Sequence, residues 1–149
     1  MSENLKSEIS YDVDYKEWNN ELLKNISSTV YQTSNWQEIY KRTYDSRPFF
    51  IRITKPNGKL LSQLSGIIHK KLFWTNTNSI SSYLGNKLNL RTTLNWFYGP
   101  VIHDHDYQQE IITETLSCID KISKDNKVVI ATGVSSPLEK SIPNSFFTT

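Results

Sequence analysis

The sequence predicts an α+β fold in which helices flank a mixed sheet containing a central hairpin and a parallel strand pair. Three observations carry this reading. Phe49-Phe50-Ile51-Arg52-Ile53-Thr54 and a long β-prone run over residues 60–74 stand either side of Pro56-Asn57-Gly58, whose Asn-Gly pair tolerates the positive φ of a tight hairpin. Strand-like residues 94–98 and 128–131 bracket a helical pattern over residues 107–124, and a strand–helix–strand unit of this length places its strands parallel. Two helix starts carry a capping oxygen followed three residues later by Glu or Gln, at Asp14-Tyr15-Lys16-Glu17 and Ser34-Asn35-Trp36-Gln37.

The elements follow in order. Residues 1–13 are polar and read as a flexible N-terminal segment, leaving residues 14–149 as one domain. A first helix over residues 15–24 sets Trp18, Leu22 and Ile26 on one stripe by four-residue spacing. Ser28-Thr29-Val30-Tyr31 is short and β-prone. The second helix runs from Ser34 to about Thr43, with Trp36, Ile39 and Tyr40 as its apolar side, and Pro48 prevents its continuation. Residues 75–90, rich in Asn and Ser, suggest one or two helical turns. The long helix carries Ile111, Thr115, Cys118, Ile119 and Ile122 at three- and four-residue spacing. Val128-Val129-Ile130-Ala131 is nearly all apolar, the pattern of a strand covered on both faces. Ser136-Pro137-Leu138-Glu139 is a third capping box. After Pro143, Asn144-Ser145-Phe146-Phe147-Thr148-Thr149 reads as another strand in which the chain stops, the mark of a truncated product.

A chain of 149 residues is one domain's worth, enough to bury about two-thirds of its extended surface. Its apolar content is low at 37%, so the 12% of aromatic residues must supply much of the core. A formal charge of +2 with scattered lysines lacks the basic stripe of a dedicated nucleic-acid binder. His69-Lys70-Lys71 reads as a solvated strand end rather than a phosphate contact. The single Cys118 excludes an intrachain disulfide and any multi-cysteine zinc site. With no hydrophobic signal core and no apolar run long enough for a bilayer, cytoplasmic placement is expected.

Ligand-type residues are densest at His103-Asp104-His105-Asp106. Two histidines at i and i+2 give two metal ligands at best, so a cap by Asp104 or Asp106 on the helix opening near Tyr107 is the better reading, with no metal site. Cys118 falls on the apolar helix face and reads as packing. His69 reads as a surface or strand-end residue. Nucleophile-elbow, P-loop and dinucleotide fingerprints are all missing from the sequence. Trp96-Phe97-Tyr98-Gly99-Pro100 is more telling. Strand alternation puts Trp96 and Tyr98 on one face and Phe97 on the other, and Gly-Pro then leaves backbone open beside an aromatic platform. Sheets of this kind favour ligands at strand carboxyl ends. Trp96 and Phe97 read as core, while Tyr98 stands between packing and lining a groove.

Tyr31-Gln32-Thr33-Ser34-Asn35-Trp36, Arg47-Pro48-Phe49-Phe50-Ile51 and Tyr98-Gly99-Pro100 resemble, in order and spacing over residues 29–134, landmarks of FemAB-like proteins. That group belongs to the GNAT-like acyltransferase superfamily and includes peptidoglycan-bridge aminoacyltransferases and CelD-type acetyltransferases. One glycine precedes the proline here where many relatives have two. The resemblance implies a GNAT-like sheet and places the chain on the first of two GNAT-like halves. Family chemistry is attack by an acceptor amine on acyl-CoA or aminoacyl-tRNA. On this pattern Trp36, Tyr98, Gly99 and Pro100 would line an acceptor-side groove, with no catalytic residue identified and no activity from this half alone. The glycines that wrap a donor pyrophosphate in GNAT enzymes are replaced by residues 103–106. Their carboxylates would oppose it by on the order of a few kcal/mol, so no cofactor is expected in this chain. A donor would require the second half. The alternative is a non-catalytic GNAT-like module that binds a partner protein through its final strand, where Phe146-Phe147 invites strand addition.

Overall fold

The computed structural model of the chain describes residues 4–70 and 92–134. Its strands are β1 (Lys6–Ser10), β2 (Arg47–Thr54), β3 (Leu60–His69), β4 (Thr92–Phe97), β5 (Val101–Ile102) and β6 (Val128–Val134). Helices α1 (Tyr15–Leu23) and α2 (Ser34–Tyr44) precede β2, and α3 (Gln108–Asp125) joins β5 to β6. The strands form one mixed sheet in the order β1-β2-β3-β4-β6, with β5 pairing β3 beyond the end of β4. The α+β class is as the sequence predicts. Expectations for residues 71–90 and 136–149 lie outside the described residues.

The hairpin and the parallel pair are both present. In the first, β2 and β3 run antiparallel with Ile51 opposite Leu64; in the second, β4 and β6 run parallel with Leu94 opposite Ala131. The turn is not built as the Asn-Gly pair suggests, because only Gly58 has positive φ, at 87°. The Gly58 N–H donates to the Lys55 carbonyl (2.9 Å) and the Lys59 N–H to the Asn57 side chain (3.0 Å). Pro56 thus takes the second position of an ordinary four-residue turn, which its fixed φ favours.

Part of the polar N-terminal segment is a strand. Residues 6–10 pair antiparallel along β2, with Lys6 opposite Thr54 and Ser10 opposite Phe50. Ladder hydrogen bonds need only backbone, so a short polar strand can serve as a sheet edge. Leu5, Ile9 and Tyr11 anchor it against the core.

Two cores lie on the two faces of the sheet. Beneath α3, Ile111, Cys118, Ile119 and Ile122 pack against Phe49, Ile51, Leu64, Leu94 and Trp96. Burial pushes the Cys118 thiol up, in keeping with a packing role. On the opposite face, Trp18 and Leu22 of α1 meet Phe50 and Val101. The Asp14 carboxylate caps α1 by accepting from the Glu17 N–H at 2.8 Å, as its capping box predicts. Ile26 does not join that stripe: the helix closes at Lys24, which leaves Ile26 fully exposed.

Three further expectations change. Residues 30–32 form a 3-10 turn instead of a strand, because the Gln32 side chain folds back to accept from the Thr29 N–H (2.5 Å). Helix α2 is capped by Thr33, not Ser34, and its buried residues are Ser34 and Gln37, while Ile39 is exposed. Among the described residues the β6 strand is an edge and not a covered interior strand, and Val129, Ile130 and Val134 are about half exposed. Periodicity reports that a run is apolar, but it carries no information on whether a neighbour arrives on either side. Among the described residues, no helix is long and apolar enough to cross a membrane.

Candidate functional site

The face of the sheet toward α2 is unusually polar. Gln32, Ser34, Gln37 and Ser65 are all buried there, and each needs partners. The Gln37 amide donates to the Tyr31 carbonyl (3.0 Å) and to the Ser65 hydroxyl (3.0 Å). Ser65 in turn donates to the Gln32 carbonyl (2.9 Å), which also accepts from the Trp18 indole (3.0 Å). The Gln32 side-chain amide reaches across to donate to the Tyr98 carbonyl. This network holds the 3-10 turn against the end of β4.

That anchoring shapes the Tyr98-Gly99-Pro100 segment. Tyr98 has φ of 53° and the Gly99–Pro100 peptide is cis. Gly99 and Pro100 are buried and lie between β4 and β5, both of which pair with β3. A side chain on Gly99 would come within 2.6 Å of the Leu64 Cδ1 atom. The positive φ also breaks the alternation expected of the strand. Trp96 enters the α3 core, but Tyr98 does not follow it and packs edge-on against Tyr31 at 5.1 Å. Phe97, on the same face, reaches Tyr31 at 6.5 Å and Tyr40 at 5.6 Å.

The result is a partly buried aromatic platform. Trp36, Tyr40 and Tyr44 line α2 at four-residue intervals and touch in sequence, at 5.7 and 5.4 Å between rings. Tyr31 links Trp36 (4.9 Å) to Tyr98. The two aromatic site candidates read from the sequence therefore converge through Tyr31, while Gly99 and Pro100 lie beneath and shape the backbone. The Trp36 indole N–H is covered and has no hydrogen-bond partner among the described residues. Sequence reading missed Tyr31, Tyr40, Tyr44 and Phe97 as platform members. The spacing 36, 40, 44 was the available signal, since such residues share one helix face.

Two histidines border this region. His69 is at a strand end, as expected, but it is buried rather than solvated, sits 6.3 Å from the Tyr40 ring, and burial lowers its pKa. His103 contacts Gln63 through Nε2 (3.2 Å), and burial together with Lys24 lowers its pKa against an opposing effect of Glu21. Because the Gln63 Nε2 donates to the Trp18 carbonyl (3.4 Å), its Oε1 faces the imidazole, so the proton lies on His103 Nε2.

The loop before α3 is closed on itself. Asp104 caps a 3-10 turn (His105–Tyr107), accepting from the Asp106 N–H at 3.3 Å, and it does not cap α3. Tyr107 holds the α3 N-cap position without a side-chain cap. The Tyr107 N–H donates to the Asp104 carbonyl and the Gln108 N–H to the His105 carbonyl. Lys59 pairs with Asp104 at 2.9 Å and holds its carboxyl below the usual range. A pyrophosphate at a helix start needs free N–H groups. Here the Asp106, Tyr107 and Gln108 N–H groups are engaged within the loop, and the Asp106 and Glu110 carboxylates stand at the helix start. Among the described residues, no three His, Cys, Asp or Glu side chains gather in a metal-holding group.

Comparison with known proteins agrees at the level of fold. No protein-family model and no curated protein matches the chain. It is similar to the crystal structure of a Trypanosoma brucei acetyltransferase, with a TM-score of 0.50 and 11% identity over 90% of this chain and 84% of that one. At such identity the likeness speaks for the architecture: the chain has an acetyltransferase-like fold.

Proposed function

We propose that the chain is the N-terminal, GNAT-like half of a FemAB-like acyl- or aminoacyltransferase, supplying the acceptor-side groove and scaffold for transfer to an amine. Trp36 and Tyr98 line the groove, and Gly99 and Pro100 set its floor. The observation that carries this reading is the turning of Tyr98 out of strand alternation onto Tyr31. It gathers partly buried rings at the carboxyl end of β4, where sheets of this kind favour ligands. The acetyltransferase-like fold supports the same class of chemistry. In such transfer, protein side chains act mainly by holding the acceptor in line with the activated acyl carbon. Acyl-CoA or aminoacyl-tRNA would be held elsewhere than at the closed loop before α3.

The test is a fluorescence titration with amine-bearing peptides. Binding that quenches tryptophan emission and weakens about tenfold in Tyr98→Ala and Trp36→Phe supports the groove, a loss on the scale of one aromatic contact. Equal binding by all three proteins counts against it. Coenzyme A should give no heat at micromolar concentrations, and a micromolar dissociation constant would refute the closed-loop part of the reading.

A second reading, a non-catalytic interaction module, is favoured by the β6 edge. Its apolar Val129, Ile130 and Val134 are exposed and the strand carries no charged residue. Edges of this kind recruit strands. Capture of a partner protein that Val129→Lys abolishes, with amine binding absent, would favour the module.

A further inference from the structure

At the other end of β4 from Tyr98, the C-termini of α2 and α3 meet the ends of the strands around a cleft of about 300 Å³. Its wall includes Arg47, Lys70 and Lys127 and one carboxylate, Asp45. We propose that this cleft binds a phosphate-class anion, either free phosphate or the phosphoryl group of a small molecule, through these three cations.

The sheet register brings the cations together from separate parts of the chain. Arg47 opens β2 opposite Ile68, Lys70 directly follows β3, and Lys127 directly precedes β6. None of the three has a carboxylate partner within ion-pair distance among the described residues. The Arg47 guanidinium lies 3.6 Å over the Tyr11 ring. Stacking occupies its face and leaves its in-plane N–H donors for an oxygen ligand.

Helix ends give a competing account of the charges. The carbonyl ends of α2 and α3 carry about half a negative charge each, and cations near them are favoured. That accounts for Lys127, beside the α3 C-cap, and for Arg47, just past α2. It does not account for Lys70 on a strand end, and with Asp45 included a positive surplus remains. An independent observation is Ser46. It belongs to the cleft wall, is 5% exposed, and its covered hydroxyl has no hydrogen-bond partner among the described residues. A buried donor without a partner calls for an acceptor, and a phosphoryl oxygen would supply one if the Ser46 side chain turned toward the cleft. The concave shape and the small number of cations favour a compact anion over a nucleic-acid backbone, which spreads its charge along a stripe. This inference does not depend on the acyl-transfer reading, because the Trp36–Tyr98 contacts take no part in it.

The experiment is calorimetric titration of the full chain with inorganic phosphate and with glycerol 3-phosphate at low ionic strength, backed by thermal unfolding. Binding at submillimolar concentration is expected, weakening as salt rises. Lys70→Gln and Lys127→Asn should each weaken it on the order of tenfold, the scale of one charge-assisted hydrogen bond. Asn is chosen because Lys127 has φ of 53°, which Asn tolerates. Ser46→Ala should weaken binding while leaving the ligand-free protein folded. Tighter binding of the ester would identify a phosphorylated molecule as the source, and equal binding free phosphate; both support the site. No heat with either ligand at 10 mM (about tenfold above the expected range), equal effects of chloride, or unchanged affinity in the Lys70→Gln, Lys127→Asn double variant would overturn it.

Discussion

The side-chain amide of Gln32 donates to the main-chain carbonyl of Tyr98, 66 residues further along the chain. The carbonyl belongs to a residue in the left-handed region, and the donor belongs to a 3-10 turn that the same glutamine caps through its Oε1. One buried side chain thus stabilises two irregular backbone segments at once and sets where the aromatic platform forms.

Gln32→Ala removes both sets of bonds and leaves the Tyr98 carbonyl without its amide donor. A loss of about 2–3 kcal/mol in urea unfolding is expected. Gln32→Glu should cost a comparable amount, because an acceptor would then face the Tyr98 carbonyl. A midpoint within error of wild type for both variants would contradict the assigned role.

Gly99→Ala drives a methyl group toward the Leu64 Cδ1 atom and should cost about 1–3 kcal/mol by overpacking. Leu64→Val removes the clashing atom. In a double-mutant cycle the pair should show positive coupling, with the double variant more stable than the sum of the singles predicts.

Stability should fall as pH drops from neutrality. The pKa values of His69 and His103 are both pushed below the ordinary value of 6.5 by burial. Between the folded values and 6.5 the unfolded chain binds more protons, so acid favours unfolding. The stabilisation is complete above about pH 6.5 and is lost as pH falls from there through the folded values. Urea midpoints at pH 7.5 and 5.5 should differ for wild type and converge in the His69→Gln, His103→Gln double variant.

Substitution on the β6 edge should be mild. Val129→Lys or Ile130→Thr is expected within about 0.5 kcal/mol of wild type, since both side chains are already half in water. A large loss would mean that the strand is covered, as its apolar run suggested.

The hairpin, the parallel pair and the amphipathic face of α3 were legible because each is a local pattern: turn chemistry or a repeat of two or of three to four residues. Of the site, Trp36, Tyr98, Gly99 and Pro100 were legible as chemically distinctive residues, but not the way they are arranged. Tyr31 and Phe97 were missed because their role depends on a contact made between the turn after α1 and the end of β4. The error over the shared face of Trp96 and Tyr98 has one cause. Alternation holds only while φ stays in the extended region, and Tyr98 leaves it.

By itself, the sequence determined the fold class and the order and approximate boundaries of most described elements. Only the tertiary structure decided which apolar strand is an edge, which polar residues are buried, and which rings meet. Those outcomes depend on neighbours brought in from distant parts of the chain, as Gln32 is to Tyr98. A buried glutamine and an exposed valine look wrong by composition alone, and only the partners supplied or withheld by the fold account for them.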